Sequence, residues 1–184
     1  MNWPSIVLLG DSEVGKSSLY SNFFERKFCK EYIGTVEEKY VQEVIVGNAM
    51  KKIRILDTSG DVDYYKMVPY WIESGNCFIL VYSINKENTL EYLTFVYNLI
   101  QKNKKAREMP IFFVGNKCDL EKKVFPEDVK ILFGKKIHLF ETSANSDDDN
   151  VDQAFNNIFS KFFEKKKKIL LVLMLLKTLN FFRY

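Results

Sequence analysis

The chain is poor in the residues that build metal and disulfide frameworks. Among 184 residues it has three cysteines, Cys29, Cys77 and Cys118, and a single histidine, His138. The cysteines are odd in number, far apart and never in a C-x-x-C pair, which argues against a structural zinc site and points to a reduced, intracellular chain. His138, in "KKIHLFE", reads as a strand residue facing solvent or a neighbour rather than as a catalytic base. Arginine is scarce as well. Arg26, Arg54, Arg107 and Arg183 are scattered, whereas a phosphate-loop kinase needs arginines gathered in a lid over the transferring phosphoryl group. The net charge of +3 is small, and lysine sits in short clusters such as "KNKK" and "KKKK", so nucleic acid is not the expected partner. The opening "MNWPSIVLLG" has neither a basic leader nor a cleavage site, and its apolar run is expected to be a buried strand.

What is present is alternation. The length suits one domain with a substantial core. "SIVLLG" reads as a strand, followed by a helix from about Lys16 to Arg26. "KYVQEVIVGNAMKKIRILD" reads as two strands around a Gly47-Asn48 turn. Strands are also expected in "CFILVYS", "PIFFVGNKCD" and "IHLFETSA". "ENTLEYLTFVYNLIQKN" carries a helical period, Pro126 opens a short helix through Phe133, and Ala154, Phe155, Ile158, Phe159 and Phe162 mark one face of a last helix. The expected fold class is α/β: a six-stranded, mostly parallel sheet with one antiparallel edge strand and about five helices on both faces. Ligands of such sheets sit beyond the carboxyl ends of the strands, where every chemically suggestive cluster of this chain falls.

"GDSEVGKS", starting at Gly10, satisfies G-x-x-x-x-G-K-[ST] between a strand and a helix. A glycine-bearing loop of this kind turns its N–H groups inward on a polyanion, making a P-loop. The candidate phosphate-binding residues are Ser12, Glu13, Val14, Gly15, Lys16, Ser17 and Ser18. Lys16 brings a full charge to the terminal phosphates, and Ser17 offers a hydroxyl to Mg²⁺.

"GNKCD" selects the base. A carboxylate held edge-on accepts from both the N1–H and the amino group of guanine, whereas adenine would oppose it with an acceptor. Asp119 is the residue for this. Asn116 braces the loop and the base, the Lys117 stem covers the ring, and "ETSAN" adds Ser143, Ala144 and Asn145, with the Ala144 N–H a donor for the guanine carbonyl.

With "GDSEVGKS", Thr35 in "YIGTVEEKY", "DTSG", "GNKCD" and "ETSAN" in order, residues 5–165 resemble a Ras-superfamily small GTPase. "ILDTSG" and the tyrosines of "YIGTVEEKY" resemble the Ras branch, "GDS" the Rab branch. The resemblance implies a monomeric GTP-hydrolysing switch that binds GTP, GDP and Mg²⁺ in intracellular signalling or trafficking. It implies that Phe28 packs on the guanine, the alternative being plain core packing. With Ser17, Thr35 would complete the Mg²⁺ shell when GTP is bound, Asp57 would hold a water of the metal, and Gly60 would donate its N–H to the γ-phosphate. Glu37, Glu38 and Tyr40 would face an effector protein, the alternative being a solvated loop and edge strand, and an exchange factor and a GTPase-activating protein would be further partners.

The departures lie in three places. Where the family usually has a water-orienting glutamine after "DTSG", this chain has Asp61, shorter, anionic and without an N–H donor. The candidate catalytic residues are therefore Asp61, Lys16 and Gly60, with slow hydrolysis expected; the alternative is a GTP-binding module without effective turnover that holds partner proteins. Ser12, Glu13, Gly34 and Asn145 also stand where the family commonly has other residues. No cysteine follows Cys118, so the prenylated end common in the family is not expected. Residues 1–165 are expected to be the GTPase domain and 166–184 a basic-hydrophobic tail. That tail, "KKKKILLVLMLLKTLNFFRY" from Lys165, suits a helix lying on the cytoplasmic face of a membrane, the alternatives being packing on the domain or a partner, a disordered or aggregation-prone tail, and a spanning anchor.

Overall fold

The computed structural model describes residues 3–28, 34–146 and 148–181, with side chains through Lys168. Cys29, Tyr32 and Arg183, and the side chains of the apolar tail, lie outside the described residues. Six strands form one sheet: β1 (Ser5–Gly10), β2 (Glu37–Val46), β3 (Ala49–Thr58), β4 (Cys77–Ser83), β5 (Ile111–Asn116) and β6 (His138–Glu141). Their order is β2-β3-β1-β4-β5-β6, with β2 and β3 antiparallel and every other pairing parallel. The expected architecture is the observed one.

The hairpin turns at Gly47, whose φ of 60° is the left-handed conformation such a turn requires, so Val46 pairs with Ala49 and Glu37 with Thr58. Among the described residues five α-helices cover the sheet: α1 (Lys16–Tyr20), α2 (Val68–Ser74), α3 (Thr89–Lys102), α4 (Pro126–Phe133) and α5 (Asn150–Phe181). The helix expected from Lys16 to Arg26 is α1 followed directly by a π-helical turn, Ser21–Glu25, which ends at Arg26 in a left-handed conformation.

Strand alternation divides the core. Ile6 and Leu8 of β1 turn to one face and pack with Leu19 and Tyr20 of α1 and with Phe155, Ile158 and Phe159 of α5. Val7 and Leu9 turn to the other and pack with Trp71 and Ile72 of α2, Leu93 and Val96 of α3 and Val129 of α4. Phe23, in the π turn, stacks on Phe155 at 4.9 Å between centroids, which fixes the first helical segment against α5. Burial of a ring such as Phe155, fully enclosed, contributes about 2–3 kcal/mol. The last helix does not stop where the domain was expected to end. It continues without a break through the lysine cluster to Phe181.

Two elements carry weak sequence signals. α2 follows a 3₁₀ turn, Val62–Met67, and is only seven residues long, too short for an amphipathic period; Pro69 at its first turn is its local mark. Because five strands run parallel, their carboxyl ends collect Gly10, Thr58, Ser83, Asn116 and Glu141 along one edge of the sheet.

Candidate functional site

The loop after β1 is shaped by close contacts. Gly15 has φ of 95°, and a Cβ there would lie 2.3 Å from Asn116 Nδ2. That same amide donates to the Val14 carbonyl at 2.9 Å, so the loop after β5 clasps the loop after β1 across the sheet edge. Gly60 is equally constrained: a Cβ would meet the Asp11 carbonyl carbon at 2.2 Å. The "DTSG" segment therefore touches the phosphate loop directly, and only glycine permits it.

Lys16 is 6% exposed, and its Nζ donates to the carbonyls of Gly10 at 2.8 Å and Asp11 at 2.9 Å. Burial lowers its pKa to about 8, with Asp57 and Asp11 opposing the shift. A buried ammonium whose charge is only partly compensated is a ready partner for an anion.

Behind it, Ser17 Oγ donates to Asp57 Oδ2 at 2.5 Å and lies 3.1 Å from Thr35 Oγ1. Asp57 is fully buried, and among the described residues its Oδ1 has no hydrogen-bond partner. Burial raises its pKa, opposed by the Ser17 hydroxyl and the charge of Lys16. An orphaned carboxylate oxygen beside two hydroxyls is the donor chemistry of a hard divalent cation, so these residues fit Mg²⁺.

At the other end, Asn116 Oδ1 accepts from the Ala144 N–H at 3.2 Å and lies 3.3 Å from Thr142 Oγ1. The Ala144 N–H, read from sequence as a donor to the base, is thus engaged by Asn116. Asp119 Oδ1 accepts from Ser143 Oγ at 2.5 Å, which locks the two base-loop segments together. Lys117 occupies a left-handed conformation, φ 66°, and burial lowers the pKa of its amine.

These loops enclose one cleft of about 580 Å³. Ser12, Glu13, Gly15, Lys16, Ser17, Ser18, Phe28, Thr35, Gly60, Asn116, Lys117, Asp119, Ser143, Ala144 and Asn145 all line it. Phe28 is 41% exposed at its wall rather than part of the core. Val14 is buried beneath the loop, and Asp57 stands behind Ser17. Glu13 holds φ of 60°, with its carboxylate 3.4 Å from Lys86. Sequence reading missed Ser21, Thr58, Ser59 and Leu120 as lining residues; Thr58 and Ser59 lie inside "DTSG" and were legible there.

Asp61 is placed differently. It is exposed, it is not among the lining residues, and its carboxylate accepts from the Asp63 N–H at 3.1 Å, capping the 3₁₀ turn. The three residues expected to face a partner are also engaged within the chain. Tyr40 stacks on Tyr20 at 3.9 Å and donates its hydroxyl to Glu38, and both Glu38 and Tyr40 line the cleft. Glu37 is ion-paired with Lys39 and accepts from Trp71 Nε1 at 2.6 Å, and these contacts hold its pKa down. That bond ties β2, next to Thr35, to α2, downstream of Gly60. Trp71→Phe is expected to lower stability by about 2–4 kcal/mol in urea melts, because the charge-assisted bond is lost and the ring of a core residue 2% exposed shrinks; an unchanged midpoint would mean that neither the bond nor the larger ring contributes.

Comparison with known proteins comes to the same region of chain. The family described as Ras matches residues 5–164. Ras-like protein 1 of Saccharomyces cerevisiae is 36% identical over 157 residues, which is 83% of this chain and 50% of that protein. Ras-like protein 2 of Mucor circinelloides f. lusitanicus is 35% identical over 116 residues, 63% of this chain and 59% of that protein. The chain therefore spans between half and three-fifths of the length of these relatives. With a P-loop clasped by Asn116, a six-stranded sheet in this order and a match over nearly all of both, the chain belongs to the Ras family.

Proposed function

We propose that this protein is a guanine-nucleotide switch that binds GTP and GDP with Mg²⁺ and hydrolyses GTP slowly. The observation that carries the reading is the convergence of Lys16, the Ser17–Thr35–Asp57 cluster and Asp119 on one cleft or its wall. The residues take separate roles. Lys16 and the N–H groups of the loop from Ser12 to Ser18 hold the β- and γ-phosphates. Ser17, Thr35 and Asp57 hold Mg²⁺, which when bound supplies a hard positive charge to the phosphate oxygens. Asp119 accepts from the base, Asn116 keeps its loop against the phosphate loop, and Lys117 and Phe28 cover the ring faces.

Thr35 and Gly60 are the residues that report the γ-phosphate. Each is carried by a loop leading to an element of the Glu37–Trp71 bond, so ordering of one segment supports the other. The surface around Glu37, Glu38 and Tyr40 is proposed to receive an effector, with exchange and activating proteins acting on the same segments. The GTPase domain is assigned to residues 1–165. The tail from 166 is assigned to the cytoplasmic face of a membrane, where its lysines and apolar run give electrostatic and hydrophobic attachment. Among the described residues no helix is long and apolar enough to cross a membrane.

Asp61 carries the claim of slow turnover. It has no N–H to orient a water, and its carboxylate is committed to the Asp63 N–H. This specific contact also favours the second reading, a GTP-holding module with no useful turnover. Single-turnover hydrolysis of preloaded GTP separates them. The native protein is expected to turn over slowly and Asp61→Gln up to about a hundredfold faster, the lower end of the effect of one well-placed donor. If neither hydrolyses, the module reading holds; if the native protein is as fast as the variant, the missing donor at Asp61 does not limit turnover.

A further inference from the structure

A second cavity of about 430 Å³ opens at the far edge of the sheet, where β5 and β6 begin, and is separate from the nucleotide cleft. Its apolar lining includes Met109, Ile111 and Phe112, with His138 stacked over Phe112 at 5.5 Å. Its charged lining is strongly one-sided. Lys136 comes from the segment before β6, and Lys161, Lys165 and Lys168 recur at spacings of four and three along α5, on a single helix face. Glu164 is the one acid in the lining. Among the described residues none of the four lysines is ion-paired; Lys165 Nζ donates to the Glu108 carbonyl at 2.8 Å, which pins α5 beside the cavity mouth.

Four exposed lysines with a single acid among them gather positive charge around an apolar floor. A multivalent phosphate complements that charge. We propose that this cavity is a headgroup site for an acidic phospholipid bearing a phosphomonoester, with the phosphomonoester among Lys136, Lys161, Lys165 and Lys168, the headgroup ring over Met109 and Ile111, and the glycerol end toward the mouth. The occupant is a bilayer lipid because α5 leads without a break from this rim into the sequence "ILLVLMLL". A membrane that receives the tail meets the cavity mouth. The proposal rests on the membrane reading of the tail, and adds to it a preference for one headgroup chemistry.

Flotation of the full chain on vesicles tests it. Phosphatidylcholine vesicles would carry either phosphatidylserine or a phosphatidylinositol phosphate at matched total charge. The native chain is expected to prefer the phosphomonoester lipid. Lys136→Gln/Lys161→Gln is expected to lose that preference, with binding to those vesicles falling roughly fivefold for each lysine. Lys166→Gln/Lys167→Gln removes equal charge outside the cavity lining and is expected to weaken binding to both vesicles alike, leaving the preference intact. All four substitutions are at exposed positions, and retained nucleotide binding checks the fold. A native chain that binds both acidic vesicles equally overturns the headgroup site and leaves the tail reading standing. Equal loss of preference in the two variants also overturns the site, and no vesicle binding at all overturns both readings.

Discussion

Asp119→Ala is expected to erase the preference for GTP over ATP by about a thousandfold. The figure follows from two hydrogen bonds to a charged acceptor, each contributing about 2 kcal/mol, given by N1–H and the amino group of guanine and by neither edge of adenine. Asp119 is exposed in a loop, so its removal costs the fold little, and the variant remains a fair test of binding. The Ser143 hydroxyl loses its acceptor but borders the cleft, where water replaces it. GDP binding should fall with GTP, because the base contact is common to both. Competition titration of GTP, GDP and ATP reads the effect. A preference that survives Asp119→Ala would move base selection to the backbone of the "ETSAN" loop.

Lys16→Met is expected to reduce affinity for GTP and GDP about two-hundredfold to five-thousandfold. The substitution keeps the length of the stem and removes only the charge. The ammonium is stabilised by two carbonyls and by Asp57, yet burial still lowers its pKa to about 8. A phosphate beside it would add the opposite charge that most favours the protonated form. Deleting one member of a buried pair costs about 3–5 kcal/mol, which sets the expected range. Loss of phosphate binding should leave the base contacts intact, so guanosine itself should bind the variant and the native chain alike. Direct titration with GDP and with guanosine makes the comparison. Equal loss of both ligands would point to a collapsed loop rather than to a missing charge.

The sheet was legible because its signals are local. Continuous apolar strands, a Gly47-Asn48 turn and the Pro126 start of α4 are each written in a few adjacent residues. The phosphate loop and "GNKCD" were legible for the same reason, since their chemistry demands particular residues at fixed spacing. What escaped depends on contacts across the chain. The Glu37–Trp71 bond joins residues 34 positions apart, and neither residue announces the other. α2 is too short to display a period, and the π turn after α1 has the same composition as ordinary helix. Asp61 shows a third kind of limit. Its lack of an amide was plain from sequence, but its use as a cap for the turn from Val62 was readable only from the Asp-x-Asp spacing, a weak signal. The cavity lysines stayed hidden because Lys136 and Lys161 meet only once β6 and α5 are folded together.

The measurement that bears most directly on the account is equilibrium titration of the nucleotide-free full chain with GTP, GDP and ATP, with Mg²⁺ and then with a chelator. Tight guanine-nucleotide binding, at least about a thousandfold over ATP and weakened by chelation, is the predicted result. Equal affinity for ATP and GTP, or affinity indifferent to chelation, would contradict the roles given to Asp119 and to the Ser17–Thr35–Asp57 cluster.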